Sequence, residues 1–170
     1  VILATGDGRR NDASPRGGPA GFVRVLDDHR IAFGDLVGNN RIDSYQNLVA
    51  NPGIGMLFLV PGVVETLRVN GVATVSHDPA LREGCAIDGR VPKVVIVVDV
   101  EECYIHCGAS FTRGAVWDTN TWLSGDERPV PSAIIRQHTG TEATAEQIRT
   151  GLQEYYDTAI WHVGGNNDPG

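Results

Sequence analysis

Ile54-Gly55-Met56-Leu57-Phe58-Leu59-Val60-Pro61-Gly62-Val63-Val64-Glu65-Thr66-Leu67-Arg68-Val69-Asn70-Gly71-Val72-Ala73-Thr74-Val75 decides the fold class. Ile54 to Val60 is a short apolar run bounded by turn residues, as expected of a buried strand. Pro61-Gly62 then turns the chain, because proline presets φ and glycine tolerates the reversal. Val63 to Val75 is the longest strand candidate. Within it Thr66, Arg68 and Asn70 fall on one face, and Leu67 and Val69 on the other. Two strands joined by so short a turn must be antiparallel neighbours.

The same pattern extends outward. Val1 to Thr5 reads as a strand ending at the hairpin dipeptide Asp7-Gly8. Phe22 to Leu26 alternates and is turned by Asp27-Asp28-His29 into Arg30 to Phe33. Val94 to Cys107 is a further long strand, with Val94-Val95-Ile96-Val97-Val98 at its heart. Asn39-Asn40 caps a predicted short helix from Arg41 to about Ala50, which Asn51-Pro52-Gly53 stops. Asp78-Pro79 opens another, through about Cys85. About six or seven strands with two small helices, and no crossover helix long enough for a parallel sheet, predict an antiparallel barrel. The class is mainly β with short helices (α+β).

The tail differs. Arg113 to Gly140 carries Trp117, Trp122, Pro129 and Pro131 and is expected to be loop. Thr144 with Gln147 forms a capping box, and Ile148, Leu152, Tyr155, Tyr156 and Ala159 predict a helix to about Trp161. The expected organisation is a barrel core at 1–112 and a loop-and-helix extension of the same domain at 113–170. Val1 opens inside a core strand without an initiator Met, so a preceding segment is expected.

Composition narrows the function classes. The 170 residues carry a formal net charge of −7, which argues against a nucleic-acid surface built on positive charge. No apolar run approaches the ~20 residues that span a bilayer, so no membrane partner is expected. Cys85, Cys103 and Cys107 are an odd count. Cys103 and Cys107, four strand residues or roughly 13 Å apart, are beyond the ~7 Å a disulfide allows. A reducing cytoplasm is the expected location. Phosphate-loop, dinucleotide, nucleophile-elbow and zinc-protease motifs are absent, and the five histidines lack metal-ligand spacing. No metal is expected, and no residue is singled out as catalytic.

What remains is a set of segments rich in backbone donors and cations. Arg16 lies beside Gly17 and Gly18, where a flat ligand can approach the main chain. Asn39, Asn40 and Arg41 stand before a predicted helix, where an anion is favoured. A loop, a helix cap and a solvated strand face account for the same residues.

Four segments then carry a resemblance. They are Ser14-Pro15-Arg16-Gly17-Gly18-Pro19-Ala20-Gly21-Phe22-Val23, Gly38-Asn39-Asn40-Arg41-Ile42-Asp43-Ser44, Asn51-Pro52 and Glu65-Thr66-Leu67-Arg68-Val69-Asn70-Gly71. In that order they resemble the pyridoxamine 5′-phosphate oxidase-like, FMN-binding split-barrel family, in a bacterial branch, over about Val1 to Trp117. The resemblance implies a split β-barrel homodimer with FMN at the interface and a small-molecule substrate. It places Arg16, Gly17, Gly18, Phe22 and Val23 beside the isoalloxazine, and Phe33, Gly34 and Asp35 along a strand end lining the flavin. Asn39, Asn40 and Arg41 would hold the phosphate, with Asn40 where the oxidases carry a cation. Thr66 stands where a flavin-contacting glutamine is expected, and Arg113 and Trp117 would reach the other subunit's flavin. His106 and Trp122 are candidates for the substrate wall. Ala109 and Gly114 depart from the branch pattern, which has Lys and Ser there. The implied activity is hydride transfer between a small organic substrate or nicotinamide and flavin N5. The alternative is a non-catalytic protein binding flavin, haem or deazaflavin.

Overall fold

The computed structural model describes residues 1–36, 38 and 41–158. Among these residues, seven strands form one sheet: β1 (Ile2–Gly6), β2 (Asn11–Pro15), β3 (Val23–Val25), β4 (Arg30–Gly34), β5 (Gly53–Phe58), β6 (Thr66–Ser76) and β7 (Val95–His106). Their order is β2-β1-β5-β6-β7-β4-β3, and each pairing is antiparallel. The helices are α1 (Asp43–Ala50), α2 (Pro79–Gly84), α3 (Ala109–Arg113), α4 (Pro131–Thr139) and α5 (Ala145–Thr158). This is the expected antiparallel split barrel of the α+β class.

Local chemistry sets the turns. The Asp7 carboxylate accepts from the backbone N–H groups of Arg9 and Arg10 at 2.8 and 2.7 Å. These bonds hold a loop over Asp7–Arg10 rather than the expected two-residue turn, and Gly8 supplies the positive φ it needs. Asp27 accepts from His29 N–H at 2.9 Å and pairs with Arg30, closing β3 onto β4. Asp78 accepts from Leu81 N–H at 2.9 Å with Pro79 in the first turn, so α2 starts where its cap residues predict.

β6 and β7 form the spine. Their register shifts between Asn70 and Gly71. A Cβ on Gly71 would lie 2.1 Å from the Asp99 carbonyl oxygen, so only glycine fits this close approach. The bulge bends the long pair, as bulges do.

Leu3, Phe33, Leu48, Ile54, Met56, Val69, Ala73, Ile96 and Val98 make one core cluster, drawn from β1, β4, β5, β6 and β7 and, through Leu48, from α1. Val95 and Val97, on the other face of β7, join Ala32 and Cys85 in a second. Val95 to Val98 is therefore buried on both faces, which is why it reads as an unbroken apolar run. Each such side chain contributes about 1.5–3 kcal/mol on burial.

Two expectations are corrected. Helix α1 begins at Asp43, not Arg41, and its N-cap, Ile42, makes no side-chain cap bond. Asn39 and Asn40, expected to cap it, lie outside the described residues. Arg113 to Gly140 is not all loop: α3 ends there, two 3-10 turns follow (Thr119–Thr121 and Gly125–Glu127), and then α4. Pro131, read as a breaker, occupies the first turn of α4, where its missing N–H costs nothing. Gly140 ends α4 with φ 63.

The chain divides into two compact units, Val1–Trp117 and Asp118–Gly170. In the second, Gln147 N–H donates to the Thr144 hydroxyl at 3.2 Å and the Gln147 side chain accepts from Thr144 N–H at 2.8 Å, the expected capping box of α5. Ile148, Leu152 and Tyr155 form its half-buried stripe, while Tyr156 is exposed. Ala159 and Trp161, the rest of the predicted helix, lie outside the described residues.

Candidate functional site

The end of β2, the turn after it, the end of β4 and the start of α1 enclose a cavity of about 310 Å³. Six residues singled out from the sequence line it together: Arg16, Gly17, Phe22, Phe33, Gly34 and Arg41. Asp12, Asp43 and the buried Ser44 complete its polar wall.

Each is placed by a local cause. Arg16 N–H donates to the Val1 carbonyl at 2.8 Å, so the β1–β2 ladder runs on to the cavity edge. Phe22 N–H donates to the Pro19 carbonyl at 3.0 Å, folding the Pro19–Phe22 turn back beside the cavity. Phe33 and Gly34 end β4. A Cβ on Gly34 would lie 2.7 Å from the Pro92 ring, so that wall closes only over glycine.

The two guanidinium groups differ. Arg41 donates from Nε and a terminal nitrogen to one carboxylate oxygen of Asp43, at 2.8 and 2.6 Å. That bond, and then the charge of Asp43, push the Arg41 pKa above its usual value, and Asp12 adds to the effect. The Arg16 guanidinium lies over the Tyr45 ring, 5.4 Å from its centroid. Its Nε is buried and has no hydrogen-bond partner among the described residues. The Tyr45 hydroxyl donates to the Asp35 carboxylate at 2.5 Å. Burial, then Asp35, push the Tyr45 phenol well above its usual pKa, with Arg16 opposing.

A second cavity, of about 350 Å³, lies where β1, β5, β6 and β7 meet α3. Thr66 and His106, directly paired across β6 and β7, line it with Leu57, Arg68, Asn70 and Phe111. Arg68 sits 5.4 Å from the Tyr104 ring centroid, and Asn70 donates to Glu102 at 2.7 Å.

The remaining candidates stand elsewhere. Gly18 packs against Phe22 and Leu36, and Val23 packs against the main core. Asp35 turns its carboxylate to Tyr45 rather than lining the first cavity. Asn39 and Asn40 lie outside the described residues. Arg113 is exposed at the end of α3. Trp117 stacks on Phe111 with ring centroids 5.8 Å apart, and its indole N–H donates to the Val63 carbonyl at 2.8 Å. Trp122 belongs to the second unit and is 54% exposed.

Sequence reasoning missed Asp12, Asp43, Tyr45 and Arg68. The alternation of Asp12 with its β2 neighbours was a usable signal. In the sequence Tyr45 falls on one helical face with Ile42, Leu48 and Val49, a spacing that reads as core packing. Nothing in the spacing announces that its hydroxyl meets Asp35.

The residues present fit a flat anionic group such as FMN. A buried guanidinium N–H lacks an acceptor, two aromatic side chains line the walls, and glycine backbone is exposed at Gly17. Among the described residues, no cluster of side chains suits a metal ion, and no helix is long and apolar enough to cross a membrane.

The family model for pyridoxamine 5′-phosphate oxidase matches residues 1–107. Several solved structures are similar. A point variant of HupZ from Group A Streptococcus is 22% identical, with 62% of this chain and 87% of that chain covered and a TM-score of 0.49. An FMN-binding protein from Syntrophomonas wolfei is 12% identical, with coverage of 62% and 76% and a TM-score of 0.48. General Stress Protein 26 from Bacillus anthracis is 14% identical, with coverage of 61% and 81% and a TM-score of 0.45. No curated protein matches the sequence.

Proposed function

This chain belongs to the pyridoxamine 5′-phosphate oxidase family, and from that premise we propose that it is an FMN-dependent oxidoreductase. One observation carries the reading: a buried, unpartnered Arg16 Nε at a cavity walled by Gly17, Phe22, Phe33 and Gly34. A buried donor left without an acceptor is costly, and a ligand oxygen in the cavity removes that cost. Phe22 offers half-buried apolar surface, Phe33 backs the wall from the core, and the glycines let the backbone come close. Bound there, flavin supplies two-electron chemistry at N5, with hydride exchanged against a small organic substrate or a nicotinamide. The chain's own residues hold the ring, shield it from water and supply positive charge through Arg16 and Arg41.

The proposed assembly is a homodimer with FMN at its interface. The cavity of Thr66 and His106 supports it, since Ile2, Leu57 and Phe111 leave apolar surface there. In this reading His106 and Trp122 face the substrate, and Arg113 and Trp117 meet the partner's flavin. Gly18, Val23 and Asp35 back the site, and Asn39 and Asn40 stand near the phosphate. The unpaired Cys85, Cys103 and Cys107 suit a reducing cytoplasm.

The test is anaerobic mixing of the FMN-loaded protein with NADH, NADPH and pyridoxamine phosphate in turn. Loss of the flavin band near ~450 nm with one of these donors is expected of an oxidoreductase. A flavin that stays bound and oxidised with every donor identifies a non-catalytic binding protein instead.

A further inference from the structure

The two cavities described above differ in charge. Two arginines and two aspartates line the first. Among the described residues lining the second, Arg68 is the one formally charged side chain. Strand pairing explains why it stands without a counter-charge. Thr66, Arg68 and Asn70 on β6 lie directly opposite His106, Tyr104 and Glu102 on β7, so all six share one face of the sheet. Glu102, the carboxylate of that row, accepts from the Asn70 side chain at 2.7 Å. Arg68 meets a phenol instead, its guanidinium 5.4 Å from the Tyr104 ring centroid. Among the described residues that guanidinium makes no hydrogen bond and no ion pair. Arg68 is half-buried, so it gives up part of its hydration and gains no polar acceptor in return.

The rest of the cavity is apolar and small. Ile2 and Leu57, opposite each other across β1 and β5, line it with Phe111 of α3. Phe111 is steadied by its stack on Trp117, whose indole N–H is tied to the Val63 carbonyl. At about 350 Å³ the cavity stands at the lower end of small-molecule sites, which span ~300–1,000 Å³. We infer that it takes an organic carboxylate with a flat apolar body of one or two rings, that Arg68 selects the carboxylate, and that Tyr104 is a positioning residue for Arg68. The inference deepens the reading that His106 faces the substrate, and rests on it in naming the substrate's class. A carboxylate matches the fork of a guanidinium and supplies the missing acceptor. One cation balances one negative charge, which favours a carboxylate over a phosphate dianion. Tyr104 holds the long Arg68 side chain in place, so less rotamer freedom is lost when the ligand binds.

The experiment uses the FMN-loaded full chain and measures binding of naphthoate and of its neutral analogue naphthamide by titration calorimetry. The wild-type protein is expected to bind naphthoate about tenfold or more tightly than naphthamide, the scale of a charge-assisted hydrogen bond. Arg68→Gln brings the two constants within about threefold by weakening naphthoate. Tyr104→Ala lowers the preference without weakening naphthamide, and Tyr104→Phe, which keeps the ring, retains it. A role in folding alone would weaken both compounds together. Tyr104→Ala leaves Arg68 in place, so it carries the test if Arg68→Gln does not fold. A wild-type chain that holds FMN but binds the two compounds equally, or binds neither, overturns the inference and leaves the flavin reading standing. A preference kept in Arg68→Gln overturns the assignment to Arg68. An unchanged preference in Tyr104→Ala overturns the positioning role. Selective naphthoate binding by a chain that takes up no flavin upholds the carboxylate site and overturns the flavin reading instead.

Discussion

The two units of the chain are stabilised in different ways. In Val1–Trp117 a bent seven-stranded sheet gathers every buried apolar side chain of the described residues, from Leu3 to Val98. In Asp118–Gly170 the buried side chain among the described residues is Ser132, and the helices rely on caps, half-buried stripes and the Glu146–Arg149 ion pair. The first unit can hold a rigid, shaped cavity because strands fix its walls from both sides. The second follows local rules that a short peptide also obeys. The FMN site proposed here is therefore tied to long-range packing in the sheet.

Equivalent truncations in the two units sharpen this contrast most. Leu3→Ala removes a fully buried side chain, 0% exposed, from the core of the sheet. It is expected to cost about 2–5 kcal/mol in urea unfolding. Leu152→Ala, on the half-buried stripe of α5, is expected to cost under about 1 kcal/mol. Equal costs would show that the helical unit hides as much apolar surface as the sheet.

A smaller effect tests the wall beside the cavity. The Tyr45 phenol pKa is raised in the folded chain by burial and then by Asp35. An unfolded phenol loses its proton near pH ~10. The folded protein resists that loss, so this stabilisation is complete below pH ~10 and declines as pH rises beyond it. Tyr45→Phe should flatten the alkaline limb of a stability–pH curve. An unchanged alkaline limb would mean that Tyr45 ionises as freely in the folded chain as outside it.

How far the sequence revealed all this depends on the range of each interaction. Strand alternation in Thr66 to Asn70 and the apolar run Val95 to Val98 are local patterns, and both marked strands correctly. The capping box at Thr144 and Gln147 is local too. The structure placed helix α4 where Pro131 had suggested loop, because a proline marks a helix start as readily as an end. Of the six cavity residues, Arg16, Gly17 and Arg41 were marked by local chemistry, while Phe22, Phe33 and Gly34 came from a resemblance between separated segments, since β2 and β4 are not neighbours in the sheet. Tyr45 and Asp35 were illegible as a pair: they stand ten residues apart in sequence, and no period relates a hydroxyl to a carboxylate at that spacing.

The smallest expected effect is local. Thr144→Ala removes the side-chain acceptor for Gln147 N–H at the start of α5. A loss of about 1 kcal/mol, read as lower helicity on mild heating, is expected. No loss would show that the cap is redundant with packing along Ile148 and Leu152.

The central claim is that the cavity between β2, β4 and α1 holds riboflavin phosphate. Titrating purified chain into FMN, with flavin fluorescence as the signal, tests it directly. The account predicts saturable quenching at one flavin per chain, with a dissociation constant in the micromolar range or below, about −8 kcal/mol or stronger. Undiminished fluorescence, even at a large excess of folded protein, would contradict it.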